Sequence, residues 1–241
     1  MDFLLFRLYN WLCSWGLIAN GELRTTYIGP TKSSIIGLIA ASLGISRTEN
    51  DLLLELSHDI GFSVKIENPG ILLTDYHTSQ VPSKSNSNKT KRSTRKLELE
   101  SNELNTILSY RDYRMDSLYT VAVWNKNPDT KFKLEDIKLK LIRPTFQLYL
   151  GRKSCPLSLP LTPKLVHSSS LRKAYEEVLF STDEFIQNLI EKSGQQILWE
   201  NIENFESGFI PDMKVVLRDS ISNREMWQFK NRQVNLSFLN S

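Results

Sequence analysis

The stretch 29–44, G-P-T-K-S-S-I-I-G-L-I-A-A-S-L-G, constrains the fold more than any other, because it carries a start signal, an apolar body and a stop. Thr31 or Ser33 serves as the N-cap after Pro30, and Gly44 can take the left-handed backbone that ends a helix. That predicts about three turns of α-helix. Ile35, Ile36, Leu38, Ile39, Ala40, Ala41 and Leu43 leave no polar stripe, so the helix belongs in a core that covers it nearly all round. Gly37 in its interior costs about 1 kcal/mol relative to Ala, which implies close approach by another backbone or a sheet. Lys32, Ser33 and Ser34 crowd the end where free amides and the helix dipole favour an anion. Two readings of that end stand side by side: a phosphate site, or a capped packing helix with an exposed lysine.

At 241 residues the chain can bury a sizeable core. A net charge of +3 is too small to announce a nucleic-acid binder, so local clusters must carry that argument. Cys13 and Cys155 are isolated, which excludes a zinc knuckle or a disulfide framework and suits a reducing cytosol. Residues 1–17 are apolar, but Asp2 stands where a signal peptide needs positive charge, and Arg7 interrupts the run. No later run reaches transmembrane length. The expectation is a soluble, cytoplasmic protein with no membrane partner.

Along the chain, residues 3–9 read as a buried strand, followed by a loop and a turn at Asn20-Gly21. Thr48 and Asp51 offer a capping-box-like start to a second helix, with Leu52, Leu53, Leu56 and Ile60 on its apolar side and Gly61 as its stop. Residues 62–66 and 71–76 are strand-like, and Asn68-Pro69-Gly70 between them predicts a hairpin. Residues 118–124 read as a strand and 133–141 as a short surface helix ending before Pro144. This order suits an α+β fold of ferredoxin or RNA-recognition (RRM) type over 1–148, a sheet that commonly carries single-stranded RNA on one face. A smaller β-rich C-terminal region fills 149–241.

Two basic features interrupt this plan. Within 78–108 the chain turns polar and Ser-rich, with Lys84, Lys89, Lys91, Arg92, Arg95 and Lys96 unbroken by acids. It reads as a solvated loop or as an arm ordered by a polyanion. Further on, Tyr149-Leu150-Gly151-Arg152-Lys153-Ser154-Cys155-Pro156-Leu157 sets a close-approach glycine and two cations beside a hydroxyl and an aromatic face. That is either a clamp for a nucleic-acid backbone or an ordinary surface turn.

Arg24, the Gly-Pro-Thr-Lys-Ser-Ser-Ile-Ile-Gly-Leu-Ile stretch, Asp75-Tyr76-His77-Thr78, Tyr110-Arg111-Asp112-Tyr113 and the Gly-Arg-Lys-Ser turn follow one another in this order. In that order the chain resembles the CasD family, the CRISPR-associated family 5 subunit of type I-E Cascade. Arg218-Asp219, Phe229, Arg232 and Val234 are similar to the family's C-terminal pattern, whereas Trp227 and the stretch 171–209, with a helix-like run at 182–192, depart from it.

The resemblance implies a non-catalytic scaffold that binds the 5′ handle of the CRISPR RNA (crRNA) and caps a surveillance complex. Its partners would be a backbone subunit of the CasC family, a large subunit of the CasA family and target DNA in the assembled particle. The insertion at 78–108 would be the family's thumb. Arg24, Lys32, Ser33, Arg111, Tyr149, Gly151, Arg152, Lys153 and Ser154 would meet the handle.

Relatives in type I-C systems resemble metal-free ribonucleases that process precursor crRNA, which makes endoribonuclease activity the alternative, with Tyr76, His77, His58 and His167 as available groups. Tyr76 and His77 are adjacent on a strand and point to opposite faces, which argues against a shared substrate. A P-loop is excluded because Thr31 occupies the glycine position before Lys32. No metal or cofactor is expected, since His and Cys are few and far apart. A purely protein-binding adaptor is the third class, and it predicts no RNA footprint.

Overall fold

The computed structural model describes the chain outside residues 17, 20, 83–93, 101–103, 181–183, 191–193, 204, 225, 227 and 240–241. Lys84, Lys89, Lys91 and Arg92 therefore lie outside the described residues, as do Asn20, Trp227 and both ends of the 182–192 run.

The predicted helix forms as α1, Lys32–Leu43. The Thr31 hydroxyl accepts from the Ser34 amide at 3.4 Å, and Gly44 ends the helix at φ +84°. Ile35, Ile36 and Ile39 are fully buried, which stabilises by roughly 1.5–3 kcal/mol per side chain. Gly37 departs from expectation, because a Cβ built there meets nothing within 4 Å. No backbone crowds this position.

The strands are β1 (Asp2–Cys13), β2 (Leu23–Arg24), β3 (Ile60–Asn68), β4 (Ile71–Pro82), β5 (Leu104–Asn125), β6 (Lys164–His167), β7 (Gln195–Trp199), β8 (Met213–Asn223) and β9 (Gln228–Leu239). They join in a nine-stranded sheet of order β6-β1-β5-β3-β7-β9-β8, with β2 and β4 also on β5. Between the strands run α2 (Asn50–Asp59), α3 (Arg95–Leu99), α4 (Leu134–Ile142), α5 (Leu171–Glu177) and α6 (Glu184–Leu189). The result is a mixed α and β molecule with a large, mainly antiparallel sheet.

Several local expectations change. Helix α2 starts at Asn50, and Glu49 rather than Asp51 makes the local bond, accepting from the Ser46 amide at 2.7 Å. Gly61 lies inside β3, where a Cβ would sit 2.1 Å from the Trp124 indole, so its role is to seat that ring. Asn68-Pro69-Gly70 makes no hairpin. Strands β3 and β4 both pair with β5, one along Leu118 to Asn125 and the other along Leu104 to Met115. The turn residues only kink the edge: the Asn68 side chain accepts from the Gly70 amide at 2.7 Å, and Gly70 adopts φ +67°. Strand β5 spans 22 residues, long enough to template both segments end to end.

Both sheet faces are covered at the centre. One side carries α1, α2 and α4 over Leu4, Phe6, Phe62 and Val121. On the other, Phe3, Leu5, Trp124 and Trp199 lie under Leu171 and Ala174 of α5 and under Phe205 and Phe209. Tyr9 and Leu118 are covered by Ile186 of α6. Leu171, Ala174, Ile186, Phe205 and Phe209 thus cover the centre of that sheet face.

A candidate nucleic-acid interface

Strand β2 lies parallel to β5, with Leu23 opposite Tyr110 and Arg24 opposite Arg111. Alternation along β5 turns Arg111 and Tyr113 to one face and Tyr110 to the other, where its ring meets Tyr76 at 5.2 Å. Arg24 is exposed and donates to the carbonyls of Gly21 and Leu23. Arg111 donates from Nε to the Ser109 hydroxyl at 3.3 Å.

The Gly-Arg-Lys-Ser turn completes this edge. Its shape is local: the Leu150 amide donates to the Cys155 carbonyl at 2.7 Å, and the Cys155 amide to the Arg152 carbonyl at 2.8 Å. Leu150 and Cys155 are buried and anchor the loop, leaving Lys153 and Ser154 exposed. Gly151 is obligatory, since at φ +86° a Cβ would sit 1.7 Å from the Ser14 carbonyl oxygen. That contact docks the loop on the end of β1, where the Ser14 amide donates to the Leu150 carbonyl. Arg152 then reaches across. Its Nη2 donates to the Arg24 carbonyl at 3.1 Å, and its guanidinium carbon lies 4.5 Å from the Tyr113 ring centre. Arg24, Arg111 and Arg152, distant in sequence, are gathered on one edge of the sheet.

Beside Arg152 opens a pocket of about 350 Å³, shared with Ser33, Ser34 and Gly37 of α1, with Tyr149, with Arg224 just after β8 and with Phe229 of β9. Sequence reasoning names Ser33, Tyr149, Gly151 and Arg152 here and misses Arg224 and Phe229. Phe229 appears only within a C-terminal pattern, and no local signal ties either residue to α1.

Lys32 is corrected. Its ammonium is buried and donates to Glu200 at 2.7 Å, while its backbone amide donates to the Asp219 carboxylate at 2.8 Å. Arg232 bridges both acids, at 3.1 Å to Glu200 and 2.8 Å to Asp219. The anion at this helix end is therefore a carboxylate of the chain itself. Burial pushes the Lys32 pKa down to about 8, against the upward pull of Glu200.

Of the described thumb residues, Arg95 donates to the Gln80 carbonyl and to the Ser79 hydroxyl, folding α3 back on β4, and Lys96 is exposed. On that hairpin His77 lies 3.8 Å from Asp75, and alternation turns it away from Tyr76. His58 pairs with Asp59 and His167 with Asp2. Burial pushes the Cys13 thiol up to about 11 and raises that of Cys155, so neither is a poised nucleophile. Among the described residues, no group of three or more His, Cys, Asp or Glu is arranged to hold a metal ion. No helix there is long and apolar enough to cross a membrane.

The family described as CRISPR-associated protein (Cas5) matches residues 3–235. The chain belongs to that family. It is 31% identical over 188 residues to the CRISPR system Cascade subunit CasD of Escherichia coli (strain K12), covering 73% of this chain and 78% of the relative. Among solved structures, a chain from a CRISPR RNA-guided surveillance complex aligns with a TM-score of 0.66 at 23% identity, covering 99% of this chain and 90% of that one. A crystal structure of a Cas protein aligns at 0.62 and 23% identity, covering 99% and 95%. These structures share the fold of this Cas5 chain.

Proposed function

We propose that this Cas5 protein is a non-catalytic RNA-binding scaffold subunit of a type I-E Cascade surveillance complex, holding the 5′ handle of the crRNA and capping the backbone. The observation that carries this reading is the convergence of Arg24, Arg111 and Arg152 on one edge, with Tyr149, Lys153 and Ser154 exposed beside them. Guanidiniums, an ammonium and a hydroxyl suit phosphates, and the aromatic face suits an unpaired base.

Within 1–148 the strand order β1-β5-β3, with α1 and α2 after β1 and α4 after β5, supports reading that part of the chain as an RRM-type unit. The insertion at 78–108, carried at the end of its β4–β5 hairpin, is read as the thumb. Ile71, Leu72, Leu73 and Tyr76 stand exposed on both faces of the hairpin, an apolar surface suited to a neighbouring CasC-family subunit. A CasA-family large subunit and target DNA complete the partner set.

The test is the salt dependence of handle-RNA binding by the full chain. Arg152→Ala and Lys153→Ala should each weaken binding and flatten the logarithmic slope by about 0.7. Unchanged slopes remove this turn from the interface. Incubation with repeat-containing precursor RNA and EDTA separates the ribonuclease alternative: intact RNA is expected, and cleavage lost on His77→Ala would reverse the reading.

A further inference from the structure

Residues 137–175 hold eight Lys and Arg and no Asp or Glu, in a chain whose net charge is only +3, so the rest of the chain is net acidic. Within this stretch opens an apolar groove of about 710 Å³. One wall is the end of α4 and the segment that follows it, with Ile142, Pro144 and Leu148. The other is the run 157–163, which is neither helix nor strand. Pro156, Pro160 and Pro163 each fix their own φ and carry no N–H, so this wall stands preformed.

Thr162 lines the groove at φ +46°, a left-handed backbone that a β-branched residue rarely adopts. Buried Leu161 and Pro163 hold it from both sides, and the Leu161 carbonyl accepts from the Arg7 amide at 3.0 Å. Strain of this kind gathers at ligand clamps. Ile142, the last residue of α4, is 55% exposed on the facing wall, an aliphatic side chain left in water. Lys164 carries the only charge among the lining residues, and none of them is aromatic. A nucleic acid would find no ring to stack on here. Exposed Lys140 and Arg143 flank the lining residues of α4, so the groove is an apolar floor with a basic rim.

We infer that this groove docks an acidic segment of a partner protein, its apolar side chains seated between α4 and the 157–163 run and its carboxylates on Lys140, Arg143 and Lys164. Apolar walls select the anchors, and the one-signed rim selects the charge. The inference goes beyond the RNA-binding reading and does not depend on it.

The test is fluorescence anisotropy with the full chain and a fluorescein-labelled peptide alternating Asp with Leu. This peptide should bind, and more weakly as salt is raised, whereas versions with Lys for Asp or Ser for Leu should not. Ile142→Asp, at an exposed position, should keep the urea midpoint of wild type and weaken the Asp-Leu peptide about tenfold, the scale of one anchoring side chain. Lys164→Glu supplies the second arm: it should weaken the Asp-Leu peptide and bring the Lys-Leu peptide into binding. No binding of the Asp-Leu peptide, or equal binding by Ile142→Asp and Lys164→Glu, overturns the proposal. Two further results also overturn it. Self-association of the chain that Ile142→Asp abolishes would assign the groove to a second copy, and displacement of the peptide by oligouridylate, with Ile142→Asp weakening that RNA equally, would assign it to nucleic acid.

Discussion

Lys32, at the start of α1, and Arg152, on the turn that lies beside it, meet opposite fates. Lys32 turns inward to Glu200, with Asp219 on its amide and Arg232 closing the group. Arg152 is half-buried and meets a carbonyl and a ring face, with Ser33 and Tyr149 across the pocket. Both are basic residues in motifs of the kind that bind phosphate. What separates them is the company of acids, and those acids arrive from β8 and the end of β7, far along the chain. A cation whose partners are carboxylates of its own fold is structural; one whose partners are a backbone oxygen and a π face keeps its charge for a ligand.

The largest expected effect breaks the inward half of this contrast. Glu200→Ala leaves Lys32 and Arg232 crowded at α1 without the carboxylate they share, and such uncompensated buried charge costs about 3–5 kcal/mol. Urea denaturation should register that loss in the midpoint. A change within about 0.5 kcal/mol, as at ordinary surface sites, would mean that Asp219 alone holds the group.

The outward half should respond in the opposite currency. Arg24→Ala and Arg111→Ala remove charges whose recorded bonds are to backbone carbonyls or a neighbouring hydroxyl, so folding should shift by about 0.5 kcal/mol or less. Handle-RNA affinity should fall for both, with each lost phosphate contact removing about 0.7 from the logarithmic salt slope. Variants that destabilise the fold and leave affinity intact would assign these arginines to the interior set.

Legibility in the sequence follows the same division. Helix α1 was legible from cap to cap because its signals are local, and the Gly151 turn announced itself for the same reason. The Asn68-Pro69-Gly70 kink misled because turn chemistry reports a bend, whereas the pairing partner is set by the length of β5. The cover that Leu171, Ala174, Phe205 and Phe209 form was illegible because coverage of a sheet face is a property of contacts with Phe3 and Trp124, distant in sequence. Lys32 failed for that reason too: neither Glu200 nor Asp219 is visible from its motif.

The finest distinction lies in how Lys32 titrates. Burial lowers its folded pKa from 10.5 to about 8, so between those values the unfolded chain holds a proton at this residue that the folded chain has released. Stability contributed by Lys32 therefore rises with pH across that window, and below about pH 8 it stays at its lower level, because both states are protonated. Lys32→Met removes the group and leaves the surface lysines to titrate equally in both proteins. The difference in denaturation midpoint should move steadily in favour of wild type from pH 8 to pH 10. A flat difference would show an ammonium with an ordinary pKa, one reaching solvent as the surface arginines do, and would erase the contrast at its source.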